Sequence, residues 1–184
     1  MPQSLSLVLV HIVFSTKNRK PVLTPAIERE LHPYLASIFN ACRCQALEVG
    51  GADDHVHILS SLTRTITIAD LLETVKKSSS KWIKTKGPQF QWFHWQDGYG
   101  AFSIGRSGEA ALRRYIVSQR EHHKRITFQD EYREFLKKYN VHYDERGCMS
   151  VNAWPRAYRG RPARLRPRAL PACHERAGRP RYIC

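Results

Sequence analysis

A chain of 184 residues is long enough for one domain with a full apolar core and too short to expect two. Its 30 Lys and Arg against 16 Asp and Glu give a formal charge of +14, which points to a polyanionic partner such as nucleic acid. Among five cysteines, Cys42 and Cys44 are too close for an ordinary bridge and Cys148, Cys173 and Cys184 lie near the end, which argues against a disulfide framework.

Along the chain, residues 5–15 are β-branched and apolar on both faces, as in a buried central strand. The stretch LSLVLVHIVF lacks a preceding basic region and a small-residue cleavage site, and it is about half the ~20 residues of a membrane helix, so a cytoplasmic chain is expected. KNRKPVLTP interrupts the run. Thr24-Pro25 reads as an N-cap with proline at the first helical position, and Ile27, Leu31, Tyr34, Leu35 and Ile38 continue at helical spacing to about Ala41. Residues 43–49 predict a second strand, Gly50-Gly51 and Asp53-Asp54 a turn, and 55–62 its antiparallel neighbour. A helix is predicted from Ile68 to Lys84, short strands at 90–95 and 99–104 around Asp97-Gly98, and helices at about 107–123 and 128–139. The order β, α, β, β, α, β followed by helices is an α+β, ferredoxin-like βαββαβ pattern. Beyond Arg146 the character changes. Nine Arg against one Glu give residues 147–184 a net +8, and five prolines interrupt any period, so 1–146 is expected to be the folded domain and 147–184 a disordered tail.

Residues 55–57, His-Val-His, place two imidazoles on one face of a strand while Val56 and Ile58 face the other way. Alone the pair is a weak signal, equally at home as a structural couple. Two histidines cannot close a tetrahedral site, but with one more ligand they would hold a divalent ion and leave positions open for a phosphate oxygen. ALRRYIVSQREHHKR, residues 111–125, offers both a ligand and a nucleophile, since Tyr115 and Gln119 are i and i+4 on a helix. The plainer reading makes Tyr115 a half-buried helix aromatic beside Leu112 and Ile116, with Gln119 at the surface. His11 suits a hydrogen-bonded structural role. Either His122 or His123 could approach the ion in place of Gln119, and Glu48 or Asp54 could add a carboxylate, although turn and strand-edge roles explain those two more simply.

DDHVHIL and RRYIVSQ, with VHIVFSTKNRKPVL near the start and WQDGYGAFSI before the helix predicted at about 107–123, together resemble the single-tyrosine HUH transposases of small bacterial insertion sequences, the IS200-like family. The similarity covers most of residues 5–146. The resemblance implies that His55, His57 and Gln119 bind Mg²⁺ or Mn²⁺ and that Tyr115 is the nucleophile. It further implies single-stranded DNA with hairpin ends as substrate, a 5′-phosphotyrosine intermediate, and a homodimer whose active sites are shared between subunits. Residues 147–184 depart from the family, either as a frameshifted end or as a basic arm.

For contact with DNA, Lys76, Lys77, Lys81 and Lys84 with Trp82 in KKSSSKWIKTK, and Lys17, Arg19 and Lys20, combine cations with an aromatic; solvated faces would account for the same charges. Trp92, Phe93 and Trp95 are expected in the core or in dimer packing. Two other functions fit the same residues: a catalytically silent single-strand nucleic-acid module of ferredoxin-like fold, and a metal-dependent phosphoesterase that uses water as nucleophile.

Overall fold

The computed structural model describes residues 5–142. The expectations for 147–184, including Cys148, Cys173 and Cys184, lie outside the described residues. Four strands, β1 (Leu9–Ser15), β2 (Gln45–Ala52), β3 (His55–Ser61) and β4 (Gly100–Ile104), form one antiparallel sheet in the order β2-β3-β1-β4. Helices α1 (Pro25–Ala41) and α2 (Ile68–Lys84) are the crossovers, and α3 (Glu109–Val117), α4 (Gln119–His122) and α5 (Phe128–Lys138) follow β4. This is the ferredoxin-like α+β architecture expected from the order of elements.

The pleat sorts the strands between two layers. Val10, Ile12 and Phe14 of β1 and Val56 and Ile58 of β3 join Leu31, Leu35 and Phe39 of α1 and Leu71, Leu72 and Val75 of α2 in the main core. The alternate residues Leu9, His11, His55, His57 and Leu59 are buried too, and Leu9 and Leu59 pack with Ile116 of α3. Apolar residues on both faces of the central strands therefore reflect a sheet covered on both sides.

Capping chemistry sets the helix starts. Thr24 Oγ1 accepts from Ile27 N at the head of α1, with Pro25 at the first position. The T-x-x-D pattern occurs twice: Thr67 and Thr127 each accept from the backbone N–H of Asp70 or Asp130 and donate to the same aspartate's carboxylate, opening α2 and α5. Arg43, at φ 59° just past α1, ends that helix in the left-handed region.

Four local expectations differ from what folds. β1 begins at Leu9 rather than residue 5, because both partners stop there: Leu9 pairs with Ser61 of β3 and with Ile104 of β4, and Leu5, Leu7 and Val8 are exposed. Gly50 and Gly51 are strand residues, not turn residues, and the turn is confined to Asp53-Asp54. Residues 90–95 form no strand; Trp95 makes a single bridge to Thr16, while Phe93 and Trp95 fill the core. The helix predicted over 107–123 breaks at Ser118 (φ −89°, ψ 8°), which separates α3 from α4. Among the described residues no helix is long and apolar enough to cross a membrane, and Cys42 and Cys44 are free.

Candidate active site

The strand pair β1–β3 delivers three imidazoles to one place. His55 and His57 project from β3 on the face opposite Val56 and Ile58, and His11 on β1 places Nε2 2.9 Å from His57 Nδ1. All three are fully buried. Burial, with the neighbouring His57, draws His11 down to about 3, and burial draws His57 down to about 4, so both rings are neutral near pH 7.

The helices beyond β4 close over this face. Ile116 of α3 packs so tightly on β2 that a Cβ on Gly50 would lie 2.4 Å from the Ile116 carbonyl oxygen. That contact seats α3, and the Tyr115 ring comes to 6.0 Å from His57, centroid to centroid. The break at Ser118 turns Gln119 inward, where it is fully buried rather than at the surface. Helix α5 contributes Glu131, which is 1% exposed. Its Oε1 accepts from the Tyr115 hydroxyl and, at 3.0 Å, from Gln119 Nε2. Burial and the Glu131 charge raise the Tyr115 phenol above its ordinary value. Burial opposes ionisation of Glu131, but the facing His123 and His57 imidazoles and the Tyr115 hydroxyl outweigh that and hold the carboxyl well below the usual range.

The partners of each imidazole nitrogen set what the centre presents inward. His55 Nδ1 donates to Asp54 Oδ1 at 2.7 Å, which turns Nε2 inward to face Gln119 Oε1 at 3.3 Å. His123 Nδ1 donates to the Ile126 carbonyl at 2.9 Å, and its Nε2 faces Gln119 Oε1 at 2.9 Å and Glu131 Oε2 at 3.3 Å; burial opposes its protonation, but Glu131 outweighs that and raises the imidazole above its ordinary value. His57 Nε2 and Glu131 Oε2 stand 3.5 Å apart, and both are buried without a hydrogen-bond partner. Acceptors turned toward one another need a proton or a metal cation between them. Ligand atoms His55, His57, His123 and Glu131 all lie within 4.8 Å of one another. Neighbouring ligands around a six-coordinate ion with bonds near 2.1 Å are about 3 Å apart, so the donor set fits a divalent cation.

Of the residues singled out from sequence, His55, His57, Tyr115 and Gln119 come together here, within one chain. Asp54 stands behind His55 as an orienting carboxylate and is itself paired with Arg19 at 3.0 Å. Glu48 is drawn to Arg113 at 3.6 Å instead. Glu131 escaped the sequence reading. Its signal was a carboxylate on the apolar stripe of an amphipathic helix, between Phe128 and Phe135.

The cationic candidates divide. Lys17 pairs with Asp97 at 3.2 Å, Arg19 lies 5.1 Å from the Phe128 ring, and Lys20 sits 4.3 Å over Trp92, which is 44% exposed and not in the core. Lys76 turns inward and donates to the Gln96 and Gly98 carbonyls; burial draws its amine down to about 8. Lys77 pairs with Glu73, Lys81 is exposed, Lys84 is half-buried, and Trp82 stacks on Tyr34 at 5.1 Å with Lys86 over its ring. A groove of about 510 Å³ runs between α2 and residues 94–99, lined in part by Lys76, Lys77, Lys81 and His94.

Known proteins share this arrangement of elements. The chain is 25% identical over 116 residues to the ISDra2 transposase TnpA of Deinococcus radiodurans, a match covering 60% of this chain and 83% of that one. Two solved structures share the fold: one from Deinococcus radiodurans, described as a transposase (TM-score 0.52, 21% identity, 65% of this chain and 96% of that one); and a REP-associated tyrosine transposase bound to a REP hairpin (TM-score 0.50, 12% identity, 84% and 95%). The sequence pattern of the IS200-like transposases matches residues 4–119, which is more than half of the chain and takes in His55, His57, Tyr115 and Gln119. By that match this chain belongs to the IS200-like transposase family.

Proposed function

We propose that this transposase cleaves and rejoins single-stranded DNA at insertion-sequence ends by transesterification, with Tyr115 as the nucleophile. The observation that carries the reading is the convergence of the Tyr115 hydroxyl with the buried His55 and His57 imidazoles at a centre where His57 Nε2 and Glu131 Oε2 have no hydrogen-bond partner. A divalent ion, Mg²⁺ or Mn²⁺, held by His55 and His57 with Gln119 beside them, would polarise the scissile phosphodiester and offset charge developing on its oxygens. Asp54 and His11 fix the ring orientations of the two ligating histidines, as outer partners of metal-bound imidazoles do.

Tyr115 attacks phosphorus in line with the leaving 3′ oxygen. The phenolic oxygen–phosphorus bond forms as the hydroxyl gives up its proton toward Glu131 Oε1, to which it donates, the bond to the 3′ oxygen breaks, that oxygen takes up a proton, and a 5′-phosphotyrosine and a 3′-OH result. The ester keeps the bond energy, so a second 3′-OH can reverse the attack and join new strands without ATP. A DNA substrate puts this work in the cytoplasm. The relative bound to a REP hairpin supports hairpin-bearing DNA as the partner. Lys20 with the exposed Trp92, and the groove lined by Lys77 and Lys81, supply cations and a π-face for such a strand.

The test is a labelled single-stranded oligonucleotide carrying candidate hairpin ends, incubated with the protein in Mg²⁺ or Mn²⁺. A covalent adduct is expected with the intact chain and none with Tyr115→Phe. His57→Ala should lose cleavage yet keep most DNA binding, since the two rest on different residues. Cleavage that persists in Tyr115→Phe would make water the nucleophile and overturn the transesterase assignment.

A further inference from the structure

We infer that the cation site of this chain is completed by His123 and Glu131, and that Glu131 holds the ion with one carboxylate oxygen and the nucleophile with the other. The inference rests on the reading that the centre binds a divalent ion. Both residues lie beyond residue 119, where the family match ends.

The two oxygens of Glu131 are used differently. Oε1 is saturated by the Tyr115 hydroxyl and the Gln119 amide. Oε2 is buried without a hydrogen bond and faces the Nε2 atoms of His57 and His123 at 3.5 and 3.3 Å. A buried carboxylate oxygen with no donor is costly unless a cation meets it. The hydrogen bonds behind these groups agree. Ile126 O holds His123 so that Nε2 points inward, and Gln119 Nε2 turns the carboxylate so that Oε2 faces the imidazoles. In that arrangement Gln119 is the orienter of Glu131, and its neutral carbonyl is the weakest of the five acceptors. The Tyr115 oxygen is thereby tethered to an atom of the same carboxylate that binds the ion, which keeps nucleophile and cation together before DNA arrives. Three imidazoles with one carboxylate are a nitrogen-rich set, which favours Mn²⁺ over the oxygen-preferring Mg²⁺.

The experiment is a Mn²⁺ titration of the full chain without DNA, following free Mn²⁺ by electron paramagnetic resonance. Glu131→Gln keeps an acceptor for Tyr115 and nearly the same volume, so a merely structural role would leave the isotherm in place; the ligand role predicts affinity lower by about tenfold or more. Tyr115→Phe should leave the isotherm where it is. On the unaltered chain, spin-echo modulation of the bound Mn²⁺ should report three imidazole nitrogens, a readout that does not depend on any variant folding. Two nitrogens, or a Glu131→Gln isotherm that superimposes on the wild type while His57→Ala loses Mn²⁺, would overturn this inference and leave the transposase reading standing. A wild-type chain that takes up no Mn²⁺ would overturn both.

Discussion

Gly50 sits opposite His57 in the β2–β3 ladder and directly beneath α3. A methyl group there would meet the Ile116 carbonyl oxygen at 2.4 Å and its Cγ2 at 2.9 Å, and the first of these is backbone that cannot rotate away. Gly50→Ala should therefore lift α3 and cost about 1–3 kcal/mol, as overpacking does. Urea unfolding measures the loss, and adduct formation by Tyr115 should fall with it; an unchanged midpoint would mean the helix is not seated on the glycine. From sequence the Gly-Gly pair reads as a turn, because glycine serves both tight turns and close backbone approach. Only the position of α3 distinguishes them. His55 and His57, by contrast, are legible as a same-face pair because strand periodicity alone aligns them. Glu131 stays hidden for another reason: a carboxylate near the start of a helix normally complements the helix dipole, and nothing local reveals that its turn faces the imidazoles.

Among the elements, α1 and α2 run over the residues their caps and periodicity predict, since Thr24-Pro25 and Thr67 fix the starts and the apolar stripes meet one continuous core. The break at Ser118 has no proline or glycine to announce it. It arises where the chain turns Gln119 toward the centre. Helix α5 is attached differently from α1 and α2. It rests on an aromatic cluster in which Phe135 meets His11 at 5.1 Å and Phe102 at 5.6 Å, and Tyr139 stacks on Phe102 at 4.8 Å. With α5 seated, His55, His57 and Gln119 have no exposure, and opening of α5 is the expected route by which a phosphodiester would reach them. Its Thr127 cap is a handle on that opening. Thr127→Ala removes the acceptor for Asp130 N and should cost α5 about 1 kcal/mol. By hydrogen exchange, protection of the α5 amides should drop about fivefold while the amides of β1 and β3 keep theirs. Equal loss throughout would mean that α5 opens only with global unfolding.

For the whole molecule, the order β2-β3-β1-β4 puts the two strands that carry imidazoles side by side at the centre of the sheet, and the helices after β4 return across that face. This much follows from the βαββαβ pattern, because antiparallel neighbours with two crossovers leave one face of the sheet for whatever comes next. Whether Tyr115 then meets its own imidazoles or a neighbour's is beyond any local signal, since a helix that folds back and one exchanged between protomers have the same sequence. Here Tyr115 reaches Glu131 and the His57 ring within one chain. An exchange between subunits would have to unseat Ile116 from Gly50 as well as Glu131 from the imidazoles. The two arrangements separate in a mixing experiment with Tyr115→Phe and His57→Ala, each inactive alone. If sites were shared, mixed dimers would rebuild one complete site each, and about a quarter of the wild-type sites would return in an equal mixture. A site built within one chain predicts no recovery at any mixing ratio, because every chain then lacks either its phenol or its imidazole. Adduct yield on the labelled oligonucleotide after subunit exchange is the measurement, and recovery near a quarter would assign the nucleophile to the partner subunit.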